Sequence, residues 1–86
     1  MITKFYKNGK VFDTKTSDVV FAYGDAMACL KSKKGNFWTL NDDTLQVELI
    51  TEQTAMDLFL TYQVESEDIH EYLPKLKEYM GSLEEI

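Results

Sequence analysis

The pattern of apolar and polar positions changes period once along the chain, at Thr51. Before that point the apolar residues fall in short runs broken by turn-forming residues, which reads as antiparallel strands. "KFYK" and "KVFD" flank Asn8-Gly9. A two-residue type I′ turn needs positive φ at both central positions, and Asn-Gly tolerates this best. The turn fixes a register in which Lys7 faces Lys10, Tyr6 faces Val11, Phe5 faces Phe12 and Lys4 faces Asp13. "DTKTSD" is a turn-rich connection, "VVFAY" a strand ended by Gly24-Asp25, and "AMACLK" another strand. "SKKGN" reads as a hairpin loop with Gly35 left-handed, returning as "FWTL", and "NDDT" as the next turn. In "LQVELI", Leu45, Val47 and Leu49 alternate with Gln46 and Glu48, the two-residue period of a half-buried strand.

From Thr51 the spacing becomes helical. Thr51 is an N-cap with Glu52 in the first turn, and Ala55, Leu58, Phe59 and Tyr62 recur on one face. Ser66 is a second N-cap position, with Glu67 and Asp68 in the turn it opens. Ile69, Tyr72, Leu76, Tyr79, Leu83 and Ile86 then follow with spacings of three and four, a short heptad stripe. Pro74 lacks an amide hydrogen and clashes with the preceding turn, so the stripe is expected to kink or break near Tyr72-Leu73. The expected architecture is α+β: one domain over residues 1–86, with a β-meander of five or six strands over 1–50. An acidic helical segment over 51–86 supplies two helices on one face of that sheet. The expected core is Phe5, Phe12, Val20, Phe21, Leu30, Phe37, Leu45, Val47, Leu49, Leu58, Phe59, Ile69, Leu76 and Leu83.

Charge divides at the same point as the period. Residues 1–50 carry seven Lys and six acids, a net of +1; residues 51–86 carry two Lys and nine acids, a net of −7. An acidic rear half disfavours nucleic acid as its partner. The complete absence of Arg disfavours it further, because bidentate recognition of phosphate and guanine relies on that residue. No run approaches the ~18 apolar residues of a membrane span, and the start of the chain lacks the apolar core of a signal peptide. A single cysteine forms no internal disulfide, which suits a reducing cytoplasm.

The candidates for chemistry are few. His70 lies on an acidic turn near Glu67 and Glu71 and reads as solvated. Cys29, inside "AMACL", reads as a small buried hydrophobe rather than a nucleophile. Asp42-Asp43 lacks the spacing of a calcium loop, and Glu84-Glu85 sits in no apolar setting that would raise a carboxyl pKa. Neither a catalytic group, a cofactor nor a metal is therefore expected. Two surfaces are left as partner-binding candidates. One is the acidic set Glu67, Asp68, Glu71, Glu78, Glu84 and Glu85, in which Glu71 and Glu78 are seven residues apart, as on one helical face. The other is the basic trio Lys31, Lys33 and Lys34 beside Phe37 and Trp38, better suited to RNA or an acidic protein patch than to sequence-read DNA. If helical, the span Glu65–Glu85 carries one negative charge per ~4.5 Å, against one per ~1.7 Å of duplex axis, so it is at most a dilute nucleic-acid mimic.

The stretches "KFYKNGKVFDTKTSDVV", "LKSKKGNFW" and "ELITEQTAMDLF" resemble, in that order, a family of short, largely uncharacterised proteins carried by plasmids, phages and integrative elements. Tyr6, Asn8, Gly9, Lys10, Asp13, Thr14, Lys33, Lys34, Gly35 and Phe37 carry the resemblance; it lapses after Trp38, at "TLNDDT". It implies a mobile-element origin. Small acidic proteins of such elements often inhibit host defence, anti-CRISPR proteins among them. The expected partner is accordingly a protein with a basic surface, such as a CRISPR effector, bound by a monomer or homodimer in the host cytoplasm. The alternative is a small accessory protein of the element that dimerises through the 69–86 stripe.

Overall fold

The computed structural model describes residues 2–86 and is α+β, six strands followed by helices. The strands are β1 (Lys4–Lys7), β2 (Lys10–Asp13), β3 (Ser17–Tyr23), β4 (Met27–Ser32), β5 (Phe37–Asn41) and β6 (Val47–Ile50). The helices are α1 (Glu52–Thr61), α2 (Ile69–Tyr72) and α3 (Leu76–Ser82). β1 and β2 form the expected hairpin, in the expected register, with Asn8 at φ +52° and Gly9 at +75°.

The strands do not make one meander. β3 to β6 form a four-stranded antiparallel sheet in chain order, while β1 and β2 form a separate two-stranded sheet. Between them a 3-10 turn, Thr14–Thr16, is capped by the Asp13 carboxylate, which accepts the Lys15 amide at 2.9 Å. This turn lets the hairpin fold over the larger sheet instead of extending it.

Both faces of the larger sheet are therefore covered. Directly paired residues share a face, and the row Ala28, Leu40, Val47 and the pair Leu30, Trp38 lie on the side that receives Phe12 and Phe5. Phe21, Cys29, Phe37 and Ile50 face the other way, onto Ala55, Met56, Phe59, Ile69, Leu73 and Leu76. Central strand β5 is consequently buried at four successive positions, Phe37 to Leu40. A continuous apolar run is what a strand covered on both faces requires. Val20 is the extra residue of a β-bulge between Val19 and Phe21, which lets two neighbouring side chains enter the same cluster.

Three expected core positions are exposed. Leu45 is 45% exposed because it lies in the turn before β6 with φ +60°, so the strand begins at Val47. Leu49 points to the hairpin side but lies beyond the hairpin's cover, at 48% exposure. Leu83, at 49%, follows the end of α3. Phe5 and Leu58 are half-buried at the margins of their clusters.

The rear half has three helices, not two. Thr51 caps α1 as expected, its hydroxyl accepting the Thr54 amide at 3.1 Å. The α1 C-terminus closes in a Schellman motif: Val64 N–H donates to Phe59 C=O, Gln63 N–H donates to Leu60 C=O, and Gln63 takes φ +50°. Ser66 does not cap the next helix; α2 starts at Ile69 with no side-chain cap. Leu73, at φ −125° and ψ 69°, breaks the chain away from helix before Pro74, as steric conflict with the proline ring demands, and α3 starts two residues later. The break turns Leu73 fully inward. Ile69, Leu73 and Leu76 are thus spent on the chain's own core, and of the large apolar residues beyond Val64 only Met80, Leu83 and Ile86 stay exposed.

Candidate functional site

The helical layer is held in place by three polar ties. The Lys31 ammonium crosses from β4 to donate to the Tyr72 carbonyl at the end of α2, at 3.1 Å, while standing 5.1 Å over the Phe37 ring. The Tyr79 hydroxyl on α3 donates to the Asp57 carboxylate on α1, and that bond, together with burial, raises the tyrosine pKa. Lys75 approaches Glu52 at 3.9 Å. The Tyr72 phenol is also raised, chiefly by the nearby Asp18 carboxylate of β3.

On this scaffold Glu67, Asp68, Glu71, Glu78, Glu84 and Glu85 are all exposed. They do not form the single stripe suggested by a seven-residue spacing. Glu71 lies on α2, Glu78 on α3, and Glu84 and Glu85 follow the end of α3, so the charges spread over a broken layer instead of one helix. Beside one of them, Glu67, opens a shallow groove of about 640 Å³. Its floor is Phe59, Val64, Ile69, Leu76 and Met80, and Glu65, Glu67 and His70 stand at its edge. Met80 leaves about half of its surface free there. The Schellman turn of α1 brings Val64 to this groove beside Phe59, and neither the heptad reading nor the charge count signalled it.

The basic trio divides. Lys31 turns to the helical side, as described, whereas Lys33 and Lys34 remain exposed in the β4–β5 turn. That turn is closed by Gly35 N–H to Ser32 C=O and Ser32 N–H to Asn36 C=O, both 2.9 Å, with Gly35 at φ +87°. Lys33 and Lys34 line a cleft between the first hairpin and the sheet, together with Lys10. The hairpin register set Lys10 opposite Lys7 but not the cleft it meets, which arises only when the hairpin folds over the larger sheet; Lys7 Nζ instead donates to Glu48 Oε1 at 2.7 Å and to the Val47 carbonyl at 3.0 Å.

Reactive groups are placed apart. Cys29 is fully buried, and burial pushes its thiol up to about 12, which leaves no thiolate at neutral pH. His70 is exposed on α2 and is separated from Cys29 by the helical core. Among the described residues no cluster of three or more His, Cys, Asp or Glu side chains is disposed to hold a metal. No helix among them is long and apolar enough to cross a membrane. No family model, curated protein or solved structure matches the chain.

Proposed function

We propose that this chain is a non-catalytic binding protein of a phage or plasmid, which inhibits a host defence complex of the CRISPR–Cas type by covering a basic nucleic-acid-binding surface. The observation that carries the reading is the exposure of all six acidic residues, Glu67, Asp68, Glu71, Glu78, Glu84 and Glu85, on the helical half of the fold, with Glu65 and Glu67 at the edge of its apolar groove. Charges disposed in this way steer a basic partner and set register, while a desolvated apolar centre supplies lasting contact. The layer's net charge of −7 over residues 51–86 makes association fall as salt rises.

The same surface repels phosphate, so the partner is the protein and not its nucleic acid. The purified chain should displace guide or target strand from a sensitive effector. Glu71→Lys with Glu78→Lys should weaken that displacement by at least tenfold. Unchanged displacement by the doubly reversed protein contradicts the reading.

A further inference from the structure

The cleft beneath the first hairpin lies in the β half of the chain, whose net charge is +1, and owes nothing to the acidic layer. It has a volume of about 570 Å³, in the range that holds small organic ligands. Lys10 enters it from the hairpin, Lys33 and Lys34 from the β4–β5 turn. Among the described residues the two ion pairs are Lys7–Glu48 and Lys75–Glu52, so none of these three ammonium groups is neutralised. The one carboxylate in the cleft, Asp13, accepts the Lys15 amide and, though charged, forms no ion pair with any of the three. Like charges gathered at the mouth of a groove cost free energy unless an anion joins them.

The walls are of the opposite character. Phe12 and Trp38 are nearly wholly buried in the cleft's lining, and Leu49 stands about half exposed there. Trp38 is held rigidly, its indole N–H donating to the Ser17 hydroxyl at 3.1 Å and its ring packed on Phe12. The lining therefore combines three lysines and the polar Thr16, Ser17, Ser32 and Asn36 with the apolar Phe12, Trp38 and Leu49. Bare phosphate leaves the walls wet, and a neutral hydrocarbon leaves the lysines unpaired.

We infer that this cleft binds a small organic anion with an apolar body, such as an aryl or alkyl sulfonate, carboxylate or phosphate, through Lys10, Lys33 and Lys34 at its head and Leu49 and the edge of Phe12 along its body. Trp38 is the only tryptophan of the chain and forms part of the wall, so its emission reports occupancy directly.

The probe is 1-anilinonaphthalene-8-sulfonate, titrated against the full chain by quenching of Trp38 and by amide chemical shifts. The expected result is saturable one-to-one binding that weakens as salt is raised, with shifts at the Gly9–Val11 and Ser32–Trp38 backbone. Inorganic phosphate alone should displace the probe only at concentrations on the order of a hundredfold higher. Lys33→Glu with Lys34→Glu, both in an exposed turn, should weaken binding at least tenfold, and Leu49→Ala severalfold. Lys77→Glu on α3, a charge change of the same sign elsewhere, should leave it unchanged. Thermal unfolding and the unliganded Trp38 emission verify that each variant is folded.

Failure to saturate, equal affinity in the Lys33→Glu/Lys34→Glu protein, shifts centred on Phe59, Val64 and Met80, or tighter binding of a single-stranded oligouridylate than of the sulfonate overturns the inference. The role of the acidic layer is tested separately, by effector displacement, so failure here and failure there are distinguishable.

Discussion

The ring of Phe12 lies 5.3 Å from that of Trp38, tilted by 55°, and this pair fastens the first hairpin to the central strand of the larger sheet. Both side chains are buried, although the hairpin and the sheet share no strand pairing. Phe12→Ala leaves a void between two layers and should cost about 3–5 kcal/mol, with a red shift of Trp38 emission as water reaches the indole. Phe12→Leu, which keeps most of the volume, should cost much less. Urea unfolding followed at Trp38 measures both. Equal stability of the Ala variant would show that the hairpin is not part of the cooperative unit.

Gln63 is the C′ residue of the α1 Schellman turn and holds φ +50°, where an L side chain is strained. Gly relieves that strain but is more flexible in the unfolded chain, so Gln63→Gly should stabilise by about 0.5–1 kcal/mol. Gln63→Ala should be near neutral. A lower melting temperature for the Gly variant would contradict this account of the turn.

Lys31 sits where a sequence reader expects a solvated lysine, yet it anchors the C-terminal end of α2 to the sheet. Lys31→Met keeps the aliphatic stem and removes the donor. It should cost about 1 kcal/mol and speed hydrogen exchange at the Leu73 amide, which donates to the Ile69 carbonyl at 2.8 Å. Exchange accelerated uniformly over the molecule, with no excess at α2, would count against a local role for this tie.

Alkaline stability follows from Cys29. The folded thiol is raised from 9.0 to about 12, while the unfolded thiol ionises near the ordinary value. The stabilisation is fully present below pH 9.0 and is lost as pH climbs toward 12. One proton contributes a slope of about 1.4 kcal/mol per pH unit in that window. Tyr23, Tyr72 and Tyr79, also raised, act with the same sign. Stability measured by urea unfolding between pH 8.5 and 11 should therefore fall less steeply for Cys29→Ala than for the parent, whatever their stabilities at neutral pH. Parallel curves would refute it. In the folded protein Cys29 should also resist thiol reagents that label it promptly in denaturant.

Local chemistry made much of this fold legible in the sequence. Asn8-Gly9 dictated the hairpin and its register, Gly35 the second turn, and Thr51 the start of the helical half, because each answers a backbone requirement that few residues meet. What escaped was long-range. The run Phe37-Trp38-Thr39-Leu40 is apolar enough to be covered on both faces, but only the fold-over of the hairpin, set by the short turn after Asp13, reveals what covers the second one. Leu49 fits the alternation and still lies exposed, since alternation assigns a face and not the extent of its cover. The same holds for the charged surfaces. Glu71 and Glu78 share a heptad position but not a helix, because Pro74 ends the one before the other begins. Lys31 and Lys33 are two residues apart and would share a strand face, yet the turn that starts after Ser32 sends them to opposite sides of the sheet.

The central claim, that the acidic helical layer is the inhibitory surface, is tested most directly in living cells. Bacterial strains carrying different CRISPR–Cas types, each programmed against a plated phage, would express either this chain or its Glu71→Lys/Glu78→Lys variant at matched levels. The account predicts that the parent restores plaque formation by orders of magnitude in at least one type and that the charge-reversed protein, folded to the same degree, does not. Restoration in no strain, or restoration undiminished by the reversal, would contradict it.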